Sequence, residues 1–299
     1  MKKFIGFLRL TRPANLVTAV SDILAGIAIA VFASSDAVLL SWRAITLLVT
    51  ATIGLYGGGV VFNDVFDAEL DKAERPERPI PSGLITKRSA TILGTLLLLG
   101  GVVAAAAVHK SNPLSFSTLL AVAIAICAIV YDKWMKHNAV MGPLNMGVCR
   151  GLNLLLGMSL FPILTGYEFL AIVPVFYIAA ITMVSRGEVH GGRKTTLYGA
   201  AALYVAVITG ILAVGIYNGF AWGLFACVVL FAALIFPPLI KAIRNPTGAY
   251  IGKAVKSGVI ALIVMNAAWA AAFGMVYFAL VIVLLLPVSV SLAKLFAVT

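Results

Sequence analysis

Apolar residues along this chain gather in long unbroken runs, without the short periodic stripes of a water-facing fold. Runs near the ~20 residues that a bilayer-spanning helix needs occupy positions 16–34, 43–62, 89–109, 114–131, 139–162, 168–185, 196–216, 220–240, 255–274 and 277–296. Only a tight turn at Gly274 separates the last two. They read either as two spans or as one broken, re-entrant helix, so the count is nine or ten. The pattern predicts an all-α fold, a polytopic transmembrane helical bundle forming one integral membrane domain over residues 1–299. Ahead of the first run, Lys2 to Leu10 sets Phe4, Ile5, Phe7 and Leu8 among basic residues, which predicts a short amphipathic helix lying at the inner interface. The basic start and the small-residue stretch Val31-Phe32-Ala33 loosely imitate a cleavable secretion signal. Asp22 interrupts that would-be signal core, and the run is long for one, so it reads as a retained span.

Composition removes the soluble alternative. The chain is 62% hydrophobic and 11% charged, against about 25% charged in an ordinary soluble domain, and its mean hydropathy is +1.07. The net charge of +11 would suggest nucleic acid in a soluble protein, but its distribution gives it another meaning. Of 22 Lys and Arg, 19 fall in connectors on the side of the N-terminus, Arg43 and Lys110 fall opposite, and Arg150 lies within a span. This is the positive-inside pattern. It predicts a multi-pass protein of the cell membrane with both termini and the 63–88 and 186–195 connectors in the cytoplasm, and no nucleic-acid partner. Cys127, Cys149 and Cys227 lie in three different runs without CxxC spacing, which points to packing and not to zinc or a disulfide framework.

Chemistry concentrates in the 63–88 connector, which holds six of the eleven acidic residues. It reads Asn63-Asp-Val-Phe-Asp-Ala-Glu-Leu-Asp71 and then Arg75-Pro-Glu-Arg-Pro-Ile-Pro-Ser-Gly83. If the preceding span continues as helix through Asp71, a step of about 100° per residue puts Asp64 and Asp71 within about 20° of each other and Asp67 about 60° away, so that all three carboxylates share one face. Glu69 points to a different side, and Pro76 ends the helix. Like charges on one face at a membrane edge require something positive between them. Oxygen ligands of this kind suit Mg²⁺, which binds through one or two carboxylates, waters and a substrate phosphate, so the cluster implies a diphosphate partner. The alternative is a solvated charged loop balanced by Lys72, Arg75 and Arg78. Gly57-Gly58-Gly59, just before the cluster, allows close helix approach and lacks the strand and the Gly-Lys-Ser/Thr of a phosphate-binding loop.

Asn63-Asp64-x-x-Asp67-x-x-x-Asp71 followed by Arg78-Pro-Ile-Pro-Ser-Gly83 resembles the first signature of the UbiA superfamily of intramembrane prenyltransferases. Arg12-Pro-x-Asn15, Tyr131-x-x-x-x-Lys136 and Arg150-x-x-Asn153 extend the resemblance over most of the chain. It implies a bundle around a central cavity, with Mg²⁺ and a polyprenyl diphosphate donor at the cytoplasmic end, a small acceptor, and a lateral opening to the lipid bilayer. Family members usually carry a second aspartate motif after the sixth span. Here that region reads Ser185-Arg-Gly-Glu-Val-His-Gly-Gly192-Arg-Lys194. Glu188 takes the first acidic place, Ser185 and Gly192 stand where aspartates are usual, and His190 is a further candidate ligand or base. This variant resembles the EboC-like branch of the superfamily.

The resemblance and the residue chemistry together give a candidate site. Asp64, Asp67, Asp71 and Glu188 are the candidate metal ligands, and Tyr131 is a hydrogen-bond donor to the leaving group. Asn63, Arg78, Lys136, His190 and Arg193 are candidates around the diphosphate, with Arg186 and Lys194 expected to replace part of the missing acidic motif. Asn15 and Asp22 share one face of the first span, and Arg150 and Asn153 share one face of the fifth, by their spacings of seven and three. An ionisable residue inside the membrane is a functional candidate by default, and Arg150 is a candidate partner for Asp22. Asn145 and Asn266 read as interhelical hydrogen bonds. The aromatic residues suit a prenyl tunnel. The resulting expectation is a Mg²⁺-dependent prenyltransferase. The alternative is a transporter or lipid-binding protein that kept the bundle without catalysis, although the inverted repeat common among transporters is not evident.

Overall fold

A computed structural model describes residues 2–34, 40–162, 164–188, 191–220 and 222–296. Its elements are α1 (Lys2–Thr11), α2 (Pro13–Ala33), α3 (Trp42–Phe66), α4 (Ala68–Glu74), α5 (Lys87–Ala106), α6 (Phe116–Val130), α7 (Met141–Met158), α8 (Val173–Ser185), α9 (Lys194–Tyr217), α10 (Trp222–Arg244), α11 (Gly248–Ala272) and α12 (Val276–Leu295). A π-helical turn over Tyr131–Met135 extends α6, and a 3₁₀ turn over Glu168–Ile172 precedes α8. Each of the ten apolar runs corresponds to one of these helices. Among the described residues nine are long and apolar enough to cross a membrane, as a multi-pass membrane protein requires. The tenth, α7, carries Asn145, Arg150 and Asn153 on a buried face. Its polarity marks it as an inner helix. α11 and α12 are two full helices turned by Gly274 at φ +71, a conformation that glycine adopts without a Cβ penalty.

Burial separates inner from outer helices. α2 is buried without interruption from Ser21 to Ala30, and α11 from Ala261 to Ala272; a helix buried all round lies in the core. These two stretches and the C-terminal half of α7 form a solid plug in the half of the bundle away from the acidic connector. The plug depends on close approach: a Cβ on Gly26 would sit 2.2 Å from the Leu154 carbonyl oxygen, and one on Gly157 2.3 Å from that of Ile23. Gly58 meets α5 in the same way, with Gly94 O 2.9 Å from its would-be Cβ.

Helices α9 and α12 present most of their surface outward, and exposed Leu, Ile and Val side chains ring the bundle. Trp42, Tyr217, Trp222 and Tyr277, exposed at 76–92%, all stand at helix ends on the side of the plug. That is the position of an aromatic belt at a membrane interface. The predicted N-terminal amphipathic helix is α1. It lays Leu10 and Phe7 against Val61, Val65 and Ile85, and leaves Phe4 exposed.

Candidate active site

Helix α3 delivers the acidic cluster, but it does not run unbroken into Asp71. Regular helix stops at Phe66, Asp67 takes φ −84 and ψ 0, and α4 resumes at Ala68. The backbone bonds from Asp67 N to Asn63 O (3.0 Å) and from Asp71 N to Asp67 O (2.8 Å) keep the segment coiled. Asp64 and Asp71 therefore still share one side, and Arg78 reaches both, at 3.4 and 2.7 Å. Asp67 turns aside and pairs with Lys136. Glu69 is elsewhere, with exposed Lys72 at 2.8 Å; that ammonium lowers the Glu69 carboxyl below its ordinary range.

A further cation comes from the α1–α2 junction. Arg12, at φ 46 and ψ 68, is the only non-glycine residue of positive φ among those described. Pro13 follows it and disfavours right-handed helix at the preceding position. A left-handed arginine is uncommon, and such residues concentrate where a side chain must be aimed. Here the guanidinium reaches Asp64 at 2.6 Å and Asn63 Oδ1 at 3.5 Å.

Below the cluster lies a cavity of about 300 Å³. Arg12, Asn15, Asn63, Tyr131 and Asp132 line its polar end; Leu55, Val60, Ile124, Ile178, Ile181 and Leu262 supply apolar walls; Arg150, Asn153 and Tyr56 also face it. Arg12 and Asn63 belong to both cavity and acidic cluster, and so join them. On the other side of Arg12, a recess of about 310 Å³ is lined by Arg12, Arg75 and Arg78 against Leu292 and Ala293 of α12 and Phe296 just beyond it.

Asp22 has a different setting. It is 1% exposed and not part of the cavity lining. Its Oδ2 accepts from Arg150 at 2.9 Å and Asn153 at 3.1 Å, and its Oδ1 accepts from Asn266 at 2.7 Å. Arg150 in turn donates to Thr18 at 2.7 Å and lies over the Tyr56 ring at 4.9 Å, and Asn153 accepts from Thr52 at 2.8 Å. Four helices are thus tied by one closed network. Asn145 also stays internal, donating to Met135 Sδ at 3.2 Å and accepting from Cys149 at 3.4 Å.

The second connector is not gathered onto the first cluster. Glu188 is exposed and lies against Gly252, Arg193 is exposed at the start of α9, and Arg186 donates to the Ala139 carbonyl at 2.5 Å. His190 lies outside the described residues. Among the described residues no three His, Cys, Asp or Glu side chains converge as a ready metal cage. The cations beside the first cluster are instead Arg12, Arg78 and Lys136. Sequence reasoning also missed Asp132 and Tyr56. Asp132 is 3% exposed, faces the cavity and accepts from Asn63 Nδ2 at 2.9 Å. The one available signal was a lone acid at the end of an apolar run, between two residues already singled out.

Comparison with known proteins agrees with this architecture. The model of the UbiA prenyltransferase family matches residues 23–255. The chain belongs to the UbiA prenyltransferase family. It is similar to the digeranylgeranylglyceryl phosphate synthase of Methanoculleus marisnigri, 31% identical over 240 residues, 73% of this chain and 79% of that protein. With the synthase of Methanothrix thermoacetophila it is 33% identical over 150 residues, 50% of this chain and 52% of the relative. The match thus spans about half the length of that relative. Among solved structures, one from work on digeranylgeranylglyceryl phosphate synthase in membranes superposes with a TM-score of 0.67 at 21% identity, covering 93% of this chain and 100% of the other. A UbiA homologue from Archaeoglobus fulgidus bound to DMAPP and Mg²⁺ superposes with a TM-score of 0.56 at 16% identity, covering 91% and 99%. At these identities the structures speak for the fold.

Proposed function

We propose that this protein is an intramembrane prenyltransferase that moves a prenyl group from a prenyl diphosphate to an acceptor hydroxyl, with Mg²⁺ as cofactor. The observation that carries the reading is the junction of Asp64, Arg12 and Asn63 with a largely apolar cavity. A diphosphate fits the charged end, and a hydrocarbon chain fits the walls. Geranylgeranylglyceryl phosphate is the first acceptor to try, because the relatives are named for the product carrying two such chains.

The donor chemistry of the cluster fits Mg²⁺. Asp64, Asp67 and Asp71 offer only oxygen atoms, which a hard dication prefers, and Arg78 stands between two of them where another positive charge would serve. These three carboxylates would hold the ion, with Glu188 a candidate fourth; when bound it neutralises charge on the departing diphosphate. The chain's own residues do the rest. Arg12 and Arg78 present planar guanidinium forks to phosphate oxygens, and Lys136 a point charge. Once released from their carboxylates they stabilise the leaving group as the allylic carbon–oxygen bond breaks. Tyr131 donates a hydrogen bond from the cavity wall, and the apolar walls exclude water from the allylic cation. Arg193 and His190 belong to the connector that would cover the diphosphate, whereas Asn15, Arg150 and Asn153 face the acceptor side. Asp22, fully bonded, acts by fixing Arg150.

We propose further that the acidic connector and both termini face the cytoplasm. The test of function is incubation of membranes with labelled prenyl diphosphates of several lengths and geranylgeranylglyceryl phosphate, with products weighed by mass spectrometry. A Mg²⁺-dependent ether product is the expected result; donor left unchanged at every chain length contradicts the reading.

A further inference from the structure

Prenyl transfer to a hydroxyl leaves one proton to be removed. On the reading just proposed, the allylic C–O bond of the donor breaks with its electron pair going to diphosphate, and a lone pair of the acceptor oxygen forms the new C–O bond. The proton of that oxygen must then pass to a base. An ion pair with Arg or Lys stabilises the ionised form of a carboxylate, so a carboxylate held that way takes a proton poorly.

The carboxylates near the cavity can be sorted on this ground. Asp64 is paired with Arg12 and Arg78, Asp71 with Arg78, Asp67 with Lys136, and Asp22 with Arg150. Asp132 is the exception. Among the described residues no Lys or Arg nitrogen stands at ion-pair distance from it. Its Oδ1 accepts from the Asn63 amide, and no hydrogen bond among the described residues engages its Oδ2. It is also the one carboxylate of the five that lines the cavity.

Its placement comes from the backbone. The π turn over Tyr131–Met135 closes with a bond from Lys136 N to Tyr131 O at 2.9 Å. π turns inside α-helices frequently mark functional positions. Here the turn sets Tyr131 and Asp132 on the cavity wall while Lys136 reaches the acidic cluster. Asn63 links the two halves of the chemistry. Its side-chain carbonyl takes Arg12 beside the acidic cluster, and its amide nitrogen holds Asp132 on the cavity wall.

The geometry points to Asp132 as the catalytic base that takes the proton from the acceptor hydroxyl, with Asn63 as the residue that positions it. The cavity mouth gives that proton a route back to water or to the departing diphosphate.

The test separates ionisation of the donor from its capture. Full-length protein in lipid nanodiscs receives geranylgeranyl diphosphate carrying ¹⁸O at the bridging position. Mg²⁺-dependent binding is measured, together with scrambling of the label into non-bridging positions, which reports reversible C–O cleavage. Capture is measured as the ether product formed with geranylgeranylglyceryl phosphate. Asp132→Asn should keep binding and scrambling within about twofold of wild type while capture falls about 100-fold, the lower end of what a positioned base contributes. Asp132→Glu should recover part of the loss. Capture unchanged in Asp132→Asn overturns the assignment. Parallel loss of binding, scrambling and capture also overturns it, and makes Asp132 a metal or scaffold residue. Wild-type protein that neither binds nor scrambles any donor removes the prenyl-transfer reading itself, and the base with it, a pattern distinct from the other two.

Discussion

A lone carboxylate, Asp22, and a group of three, Asp64, Asp67 and Asp71, are neutralised by basic side chains in this bundle, and they differ in what surrounds them. The Asp22–Arg150 pair lies mid-bundle, with Asn153, Asn266, Thr18 and Tyr56 completing its bonds and neither partner more than 6% exposed. The Asp64–Asp67–Asp71 group lies at the bundle's edge. Its partners come from three separate segments, Arg12 from a strained junction, Arg78 from the Pro-rich exit and Lys136 from the end of a π turn. A network saturated by its own helices holds them together and fixes Arg150 and Asn153 in the cavity wall. A network assembled from separate connectors, beside a cavity, can exchange its cations for a substrate's charges. An ionised residue inside a membrane is thus a functional signal only while its bonds remain open, and Asp22 has none open.

Breaking the closed network should give the largest effect. Arg150→Met leaves Asp22 buried without its cation, a loss of roughly 3–5 kcal/mol, seen as a large fall in the thermal midpoint in detergent. Pairing it with Asp22→Asn should restore most of that. Equal midpoints for the single and double variants would show that the pair is not the unit described. Gly157→Leu comes next. Its Cβ meets backbone on α2, where no flexible side chain can give way, so overpacking of about 1–3 kcal/mol is expected in the same melt.

The open group should respond weakly in stability. Asp64 is itself buried, but Arg12 and Arg78 keep 20% and 14% of their side chains exposed and Arg78 retains Asp71, so neither cation is stranded as Asp22 would be, and Asp64→Asn should cost less than the roughly 3–5 kcal/mol of breaking the closed pair. A shift as large as that of Arg150→Met would erase the distinction between the two groups. Sidedness can be read independently: Ala73→Cys, in exposed α4, should be modified by an impermeant reagent only after cells are opened. The smallest effect belongs to Glu69→Gln. Its carboxylate faces exposed Lys72 and not the cavity, so neither melting nor diphosphate binding should change.

How far the sequence foretold this follows from the length scale of each feature. Spans are legible because hydropathy sums over ~20 residues, and even α7, the least apolar, is recoverable from the run 139–162. The sharing of Arg78 by Asp64 and Asp71 follows the 100° arithmetic because the segment stays coiled, whereas Asp67, expected on the same face, turns aside at the break and meets Lys136. What depends on tertiary approach was hidden. The left-handed backbone at Arg12 leaves no trace beyond Pro13. Asp132 gains meaning only once a π turn sets it on the cavity wall and Asn63 arrives from another helix. The cations that stand at the cluster besides Arg78, namely Arg12 and Lys136, come from segments far away in the chain, and nothing local in the sequence marks that approach.

The central claim is that the open acidic group is the diphosphate and metal site. Its most direct test is equilibrium binding of labelled geranylgeranyl diphosphate to purified protein, with Mg²⁺ and with chelator, for wild type, Asp64→Asn, Asp67→Asn and Glu69→Gln. The account predicts tight binding to wild type and Glu69→Gln only when Mg²⁺ is present, and at least tenfold weaker binding to both aspartate variants, which should melt as folded proteins. Equal affinity in all four proteins, indifferent to chelator, would contradict it.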